Sequence, residues 1–318
     1  MKVIESSVEI FDQGPGLEGM YKHIERCGRV AYKSEDRMTA NSWVRFLKML
    51  YDRGHWAVFN LGTVYLRVPA LTSDQALEDL LKNRWSRVRM DSGYYYITTD
   101  YRVICQLGLK EFMEKFWYDP CPHHYHRVTS HWVCSRSTSH QLVRHSAFRF
   151  IQESQRYVNY DKEKNGGGIT YILPFWIYRI RDEVGSTIDS LTGEERKWIL
   201  SLSGQELWDT LCRYDRTVSG RNKLWKDIEE EYREEVTCED GTKLKPEEAR
   251  GVLCNDTKTE LCMCGYLEDW LYEPDPEKTS EKAGFFYLRC APDAQSDIRV
   301  LSQSLKDQFI DRGLDKLL

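Results

Sequence analysis

The segment from Ser139 to Tyr160 contains side chains whose types and spacing could do chemistry. It reads SHQLVRHSAFRFIQESQRYVNY, so cationic, hydroxyl, amide and carboxylate groups alternate with apolar residues. That alternation is unlike the long polar runs of a solvated helix face. If its arginines are buried, Glu153 alone cannot neutralise them, and an anionic ligand such as phosphate would suit their guanidinium groups. The alternative is that these arginines pair with acidic side chains elsewhere in the chain.

Composition limits the class of protein. The chain has 318 residues, a hydrophobic fraction of 41% and 10 tryptophans, which predicts a folded globular protein. Its formal net charge of -5 argues against a general nucleic-acid binder. No apolar run reaches the roughly 18 residues that span a bilayer, and no signal-peptide pattern is present, so we expect no membrane association. The 10 scattered cysteines indicate reduced thiols and a cytoplasmic location.

Helices and strands must position the chemical segment. Apolar spacing predicts helices over residues 20–34 and 43–51, and Gly54 is a C-terminal cap for the second. Alternation predicts strands over 62–69 and 127–134, the latter leading directly into the segment. Between these strands, residues 74–83 predict a helix, and residues 101–116 predict a short strand followed by a helix.

A cluster of one cysteine and three histidines raises the alternative of a metal site. Cys121, His123, His124 and His126 lie close together in sequence. Their spacing matches no ordinary structural zinc site, and no second Cys/His pair follows at a suitable distance except His131 and Cys134. We therefore expect no metal.

The chemical segment resembles the signature of the flavin-dependent thymidylate synthases. Arg144-His145-Ser146 is followed, after seven residues, by Ser154 and then Gln155-Arg156-Tyr157. In that family the third position is usually Arg, where this chain has Ser146. Arg149 follows three residues later and is a candidate substitute, since residues three apart can face the same way on a helical turn.

Blocks near the end of the chain resemble the same family. The runs TKTE (257–260), GYLEDW (265–270) and FYLRCAPDAQSDIR (286–299) are similar to its closing region. Glu268 stands where an arginine is common, and Asn60 stands nearest the place of a usual acid after the turn that holds His55.

The resemblance implies an α/β (α+β) fold in which a mainly antiparallel sheet packs with helices. It also implies a single domain over residues 1–318, and we assign residues near 71–127 and 271–284 to insertions in it. The implied activity is that of a methyltransferase, the reductive methylation of dUMP to dTMP with FAD, NADPH and methylenetetrahydrofolate. The implied assembly is a homotetramer whose active sites are shared between subunits.

The resemblance also assigns roles to residues. The catalytic residues are Arg299, which would stabilise negative charge on the uracil ring, and Arg144. Those expected to bind the nucleotide are Gln141, Arg144, Gln152, Glu153, Ser154, Gln155 and Arg156. Those expected to bind flavin are His55, Arg144, His145, Ser146, Arg149 and Arg289.

Two other functions remain open. None of the ten cysteines has a local sequence setting that would lower its pKa, which favours chemistry without a thiol nucleophile. The departures at Ser146, Asn60 and Glu268 would also fit a divergent relative that modifies C5 of another pyrimidine nucleotide. The third possibility is an inactive homologue that binds nucleotide or flavin.

Overall fold

A computed structural model of the protein describes residues 1–156, 158–162, 167–187, 191–237, 243–275 and 282–317. Its strands are β1 (Lys2–Ile4), β2 (Ser7–Phe11), β3 (Thr63–Pro69), β4 (Arg87–Asp91), β5 (Tyr94–Asp100), β6 (Arg127–Ser135), β7 (Arg149–Gln152), β8 (Thr170–Ile172) and β9 (Lys258–Tyr266). Its helices are α1 (Gly16–Tyr32), α2 (Ser42–Asp52), α3 (Gln75–Lys82), α4 (Tyr101–Leu107), α5 (Lys110–Phe116), α6 (Arg136–Leu142), α7 (Ile177–Thr187), α8 (Gly193–Ser201), α9 (Gly204–Tyr214), α10 (Arg216–Thr237), α11 (Pro246–Ala249), α12 (Leu267–Leu271), α13 (Phe285–Arg289) and α14 (Ser296–Asp311).

The central sheet has the strand order β2-β6-β9-β7, and all its neighbouring strands are antiparallel. Side chains alternate between its faces, as they must on a pleated strand. Leu261 and Met263 of β9 pack with the apolar face of α14, whereas Cys262 and Cys264 pack with Cys27 of α1. Helices therefore cover both faces, which confirms the expected architecture.

A second antiparallel sheet has the order β3-β5-β4. The expected insertion near 71–127 supplies β4 and β5, which extend a sheet that β3 begins. Met20 and Ile24 of α1 and Leu50 of α2 are fully buried against this sheet. The inserted residues thus share a core with the helices that precede them, and a single domain with insertions is the organisation we propose. Part of the other expected insertion, residues 276–281, lies outside the described residues, as does Tyr157.

The expected strand at the start of residues 101–116 is wrong, because two short helices occupy that region. The carboxylate of Asp100 accepts a hydrogen bond from the Val103 amide at 3.0 Å and so caps the start of α4. Gly108, with φ of 69°, ends α4, and α5 follows. The cap and the glycine determine the local structure more strongly than the apolar pattern does.

The helices α7 to α10 bury a separate aromatic cluster. The rings of Trp208 and Trp225 stack with centroids 4.3 Å apart, and Tyr171 of β8 stacks on Trp225 at 4.5 Å.

Among the described residues, no helix combines the length and the apolar character that crossing a bilayer requires.

Gly265 of β9 is a position where a side chain would collide with the core. A Cβ atom there would lie 2.3 Å from the ring of Phe148, which Trp270 and Phe285 enclose. We expect Gly265→Ala to lower the free energy of unfolding by about 1–3 kcal/mol, measured by urea denaturation. Gly220→Ala in α10 is the control, since nothing lies within 4 Å of its Cβ, and it should stabilise by about 0.5–1 kcal/mol. Equal effects of the two substitutions would contradict this packing account.

Candidate active site

The predicted chemical segment folds as helix α6, a turn and strand β7. The Ser135 hydroxyl accepts a hydrogen bond from the Thr138 amide at 3.2 Å and caps the start of α6. After Leu142 the backbone turns, with the His145 amide bonded to the Leu142 carbonyl and the Phe148 amide to the His145 carbonyl. The turn presents Arg144 and Ser146 to solvent, while Phe148 is buried. The buried ring of Phe148 thus anchors the turn that carries Arg144 and Ser146 of the signature.

Hydrogen bonds join four residues where α6, α13 and the beginning of α14 come together, and Arg299 follows them on α14. The Arg289 guanidinium donates to His145 Nε2 at 2.9 Å and to the Gln141 carbonyl at 3.3 Å. The Gln141 side chain donates to the Gln295 amide oxygen, and Arg299, one turn further along α14, donates to the Pro292 carbonyl. Four of these residues, Gln141, His145, Arg289 and Arg299, are ones that the sequence predicted for the site.

The contact from Arg289 determines the protonation state of His145. Because Arg289 donates to Nε2, that nitrogen must carry a lone pair, and the ring proton lies on Nδ1. Burial and the positive charge of Arg289 lower the pKa of His145 to about 4. At neutral pH the imidazole is therefore uncharged and has its Nδ1 hydrogen available to donate.

A buried cluster of charges lies at the other end of the segment. The two carboxylate oxygens of Glu153 accept hydrogen bonds from Lys258 Nζ at 3.0 Å and from the Tyr160 hydroxyl at 3.2 Å. Lys33, which follows the last residue of α1, lies 3.8 Å from Glu153 and forms an ion pair with Glu260. Lys258 also pairs with Glu260. The cluster therefore joins α1 and β9 to the residue that follows β7.

Neighbouring opposite charges stabilise the charged forms of Lys258 and Glu260. Burial opposes the charge of Lys258, but Glu153 and Glu260 outweigh it and raise the pKa of the ammonium above its ordinary value. Burial likewise opposes the charge of Glu260, yet His131, Lys258 and Lys33 lower the pKa of its carboxyl. His131 contacts Glu260 at 3.0 Å and Glu9 at 3.3 Å. Lys258 and Glu260 therefore keep their charges at neutral pH because each has opposite charges beside it.

The predicted nucleotide-binding residues at the end of β7 and just after it differ in their contacts and in their exposure. Gln152 donates to the hydroxyls of Ser139 at 3.0 Å and Thr259 at 3.1 Å. Ser154 Oγ accepts from the Arg156 amide at 3.3 Å, and the Arg156 side chain is exposed. Gln155 is buried, and its side chain interacts with the Tyr160 hydroxyl, which partly offsets the rise in the pKa of Tyr160 caused by burial and by Glu153.

A cavity of about 820 Å³ opens beside the turn of the signature. Arg144, His145 and Ser146 line one side of it, and Phe285 and Leu288 of α13 line another. Glu268 and Asp269 of α12 complete its wall. Three of the predicted flavin residues therefore share one cavity, and Arg289 contacts it through His145.

The other two predicted flavin residues lie elsewhere. His55 is exposed and contacts the Tyr32 hydroxyl through Nδ1. The Arg149 guanidinium stacks on Trp85 at 3.5 Å and lies 3.8 Å from an Asp100 carboxylate oxygen. Within the described part of the chain, neither residue forms a hydrogen bond or ion pair with His145 or Ser146. One chain thus brings most, not all, of the predicted set together.

Two departures from the family pattern have partners in the structure. Glu268, at a position where an arginine is common, accepts a hydrogen bond from Arg87 at 2.8 Å. Asn60 contributes its backbone carbonyl, which accepts from Arg127 at 2.9 Å. The contact with Arg87 involves the Glu268 side chain and so explains that residue structurally, whereas any residue at position 60 would offer the same carbonyl.

The thiols near the segment are poor nucleophiles. Burial raises the pKa of Cys134 to about 12 and also raises that of Cys290, which follows Arg289. Cys27 is an exception to the sequence-based expectation: burial opposes its ionisation, but contacts with Cys262 and His23 lower its pKa. Cys27 is completely buried in the core, so no substrate reaches it. In the part of the chain that the structure describes, no three potential ligand side chains could hold a metal ion.

Sequence reasoning missed the basic and aromatic residues that contact the site. It did not single out Lys33, Lys258, Trp85 or Arg87. Lys258 and Glu260 lie two apart on a strand and so share a face, which was an available signal. Nothing local indicates that Lys33 or Arg87 pairs with a carboxylate far along the chain.

Comparisons with known proteins point to one family. A model of the Thy1 family, described as thymidylate synthase complementing protein, matches residues 120–312. No curated protein matches. Among solved structures, a UMP/dUMP methylase PolB from Streptomyces cacaoi bound with 5-Br UMP has 11% identity and a TM-score of 0.37, covering 98% of this chain and 92% of that one. The same protein bound with 5-Br dUMP has 12% identity and a TM-score of 0.37, covering 98% and 93%.

The buried charge cluster predicts a large effect of removing one lysine. Lys258→Met should lower the free energy of unfolding by about 3–5 kcal/mol, because two buried carboxylates would share the remaining Lys33. Adding Glu153→Gln should recover part of that loss. Lys48→Met, which breaks an exposed pair with Asp52, is the control and should change stability little. Urea denaturation measures all of these, and a Lys258→Met protein as stable as the control would contradict the role of the cluster.

The lowered pKa of His145 predicts a pH dependence. Its pKa in the folded protein, about 4, is below the ordinary 6.5, so the unfolded chain binds the proton more readily. The contribution to stability is present above about pH 6.5 and is lost as the pH falls towards 4. NMR of the imidazole should show titration below pH 5, and Arg289→Met should shift the midpoint upwards. A wild-type midpoint near 6.5 would contradict the neutral, Arg289-bonded ring.

Proposed function

The chain belongs to the thymidylate synthase complementing protein family, and from that premise we propose that it methylates C5 of a pyrimidine nucleotide. The substrate we propose is dUMP, which would become dTMP with methylenetetrahydrofolate as the carbon donor, NADPH as the reductant and FAD as the cofactor. The observation that carries the proposal is the contact of Arg289 with His145 and Gln141, beside the start of the helix α14 that carries Arg299. These residues come from two distant blocks of sequence.

For the phosphate of the nucleotide, we propose the turn after β7. Arg156 is exposed and would pair with the phosphate oxygens, and the Ser154 hydroxyl would donate to them. Glu153 and Gln152 would act by positioning the turn, because protein groups already occupy both Glu153 oxygens and the Gln152 amide.

For the pyrimidine, we propose Arg299 as the group that stabilises charge. Adding carbon at C5 requires negative charge to develop on the ring, and a guanidinium about 4 Å away contributes roughly 4 kcal/mol at an effective dielectric near 20. Arg299 is half-buried, and its known contact is with a neutral carbonyl, so its charge is available. Gln141 and Arg144 would orient the base and the adjacent cofactor.

The residues present fit a flavin in the cavity beside the signature turn. Its volume of about 820 Å³ and its apolar wall suit a planar ring system, and Arg144 at its edge suits an anionic group. When bound, FAD would supply the hydride that reduces the transferred carbon to a methyl group. Neutral His145 would donate its Nδ1 hydrogen to an acceptor in the cavity, while Ser146 lines the same wall.

The raised thiol pKa values support chemistry without a cysteine nucleophile. A thiol must be a thiolate to attack C6 of the ring, and those of Cys134 and Cys290 remain protonated at neutral pH. Polarisation of the ring by Arg299 would take the place of covalent activation.

We further propose a homotetramer with shared active sites. His55 and Arg149 are expected at the flavin, yet each contacts other groups within its own chain. Subunit association would bring His55 of one chain to the cavity of another. A single chain would then present an incomplete site.

A divergent substrate is the second candidate. Glu268 and Asp269 place carboxylates in the cavity wall, and Ser146 leaves space there that a larger side chain would fill. A different pyrimidine nucleotide, such as UMP, would fit these changes. An inactive binding homologue remains the third candidate, and a turnover assay separates it from both.

The test is release of tritium from pyrimidine nucleotides labelled at C5. With FAD, NADPH and methylenetetrahydrofolate, we expect release from [5-³H]dUMP to exceed release from labelled UMP and dCMP. Preference for UMP would favour the second candidate, and no release from any nucleotide by FAD-loaded protein would favour the third.

Arg299→Ala tests the residue that we propose to polarise the ring. It should abolish tritium release while FAD remains bound, because Arg299 acts on the pyrimidine. Arg312→Ala removes an arginine at the other end of α14, where it pairs with Asp12, and should retain turnover. Full activity of Arg299→Ala would remove this residue from the mechanism.

A further inference from the structure

The inserted strand β4 contacts the wall of the signature cavity. Arg87 donates to Glu268 at 2.8 Å and to both oxygens of Asp269, at 2.8 and 3.0 Å. Its guanidinium also stacks on the ring of Tyr266 at 3.9 Å. The side chain is 31% exposed, so these are partly desolvated, charge-assisted contacts on a fixed aromatic surface. One arginine from the insertion therefore determines where two carboxylates of α12 lie.

Trp85, two residues before Arg87, contacts the signature itself. Arg149 stacks on its indole ring at 3.5 Å. The Tyr266 hydroxyl lies 2.9 Å from the carbonyl oxygens of both Trp85 and Thr98, which share its single hydrogen. The insertion thus contacts the first residue of β7 and the last residue of β9 at the same place.

The charges of the cavity depend on Arg87. Its wall contains the cations Arg144 and Lys282 and the carboxylates of Glu268 and Asp269, whose charges cancel. Arg87, behind the carboxylates, makes the sum positive. Without Arg87 that sum falls to zero, and the cavity loses the net positive charge that would attract an anion.

We propose that Arg87 is a specificity-determining residue that makes the cavity accept an anionic, planar-ringed ligand, with Trp85 as a positioning residue for Arg149. The ligand class is a dinucleotide carrying phosphate groups. The inference rests on the proposed function in naming FAD as that ligand. It adds that the insertion, which lies outside the signature, determines how tightly FAD binds.

Titration of purified protein with FAD, followed by flavin fluorescence, tests the inference. Arg87→Met should weaken FAD binding about tenfold or more, the loss expected when a charge-assisted interaction is removed. Arg89→Met is the matched control: Arg89 lies two residues further along β4, is exposed and donates to the Pro122 carbonyl, so its removal should leave FAD affinity unchanged.

Removing the carboxylates of Glu268 and Asp269 shows whether Arg87 acts through charge or only holds the structure together. In the Arg87→Met/Glu268→Gln/Asp269→Asn protein, FAD affinity should return to within about threefold of wild type, because no carboxylate remains to repel the ligand. If Arg87→Met fails to fold, the Glu268→Gln/Asp269→Asn protein still gives a result, since it retains Arg87 and should bind FAD more tightly than wild type.

Each outcome has a distinct meaning. Wild-type affinity in Arg87→Met overturns the inference and leaves the proposed function intact. Weak binding by Arg87→Met that the triple substitution does not restore, or a double variant that binds no more tightly, overturns the electrostatic account of the cavity. Failure of the wild-type protein to bind FAD overturns both the inference and the proposed function.

Discussion

The pairing of Lys33 and Lys258 with Glu153 and Glu260, all of them at least partly buried, is the interaction on which the site depends. Charges removed from water are tolerated only where opposite charges and hydrogen bonds replace the lost hydration. Lys33, Lys258, Glu153 and Glu260 satisfy one another, and Tyr160 and His131 occupy remaining oxygens. Because these residues come from α1, β9 and the end of β7, the ion pairs determine where the signature strand ends. The half-buried Ser154 and the exposed Arg156 follow directly from that point.

The site and its departures from the family pattern form one arrangement. Glu268 would be an unpaired acid in the cavity wall, but Arg87 of β4 neutralises it. Arg149, an additional arginine in the signature, stacks on Trp85 and lies near Asp100 at the end of β5. The unusual residues of the family-like blocks therefore have their partners in the segment from Trp85 to Asp100. A change in either would be expected to require a change in the other.

Much of the fold could be predicted from local patterns. Helical spacing identified α1 and α2, alternation identified β3 and β6, and Gly54 occurs with positive φ just after α2 as expected. The stripe of Ile298, Leu301 and Leu305 is the buried face of α14. Residues 101–116 were misjudged because one capping carboxylate and one glycine outweighed an ambiguous apolar pattern.

The site could be predicted only where a resemblance identified it. Gln141, His145 and Arg289 contact one another, although they come from blocks more than a hundred residues apart. The ion pairs behind them could not be foreseen, since Lys33 and Glu260 are separated by 227 positions and Arg87 and Glu268 by 181. Local sequence carries no information on which distant carboxylate a surface-type lysine or arginine will meet. Only the three-dimensional fold brings such partners together.

The most direct measurement of the central claim is the mass of the nucleotide recovered after the protein has been incubated with dUMP, FAD, NADPH and methylenetetrahydrofolate. The account predicts a product heavier than dUMP by one methylene group, with the added carbon on C5 of the base. Recovery of unaltered dUMP from protein that has bound FAD would contradict it.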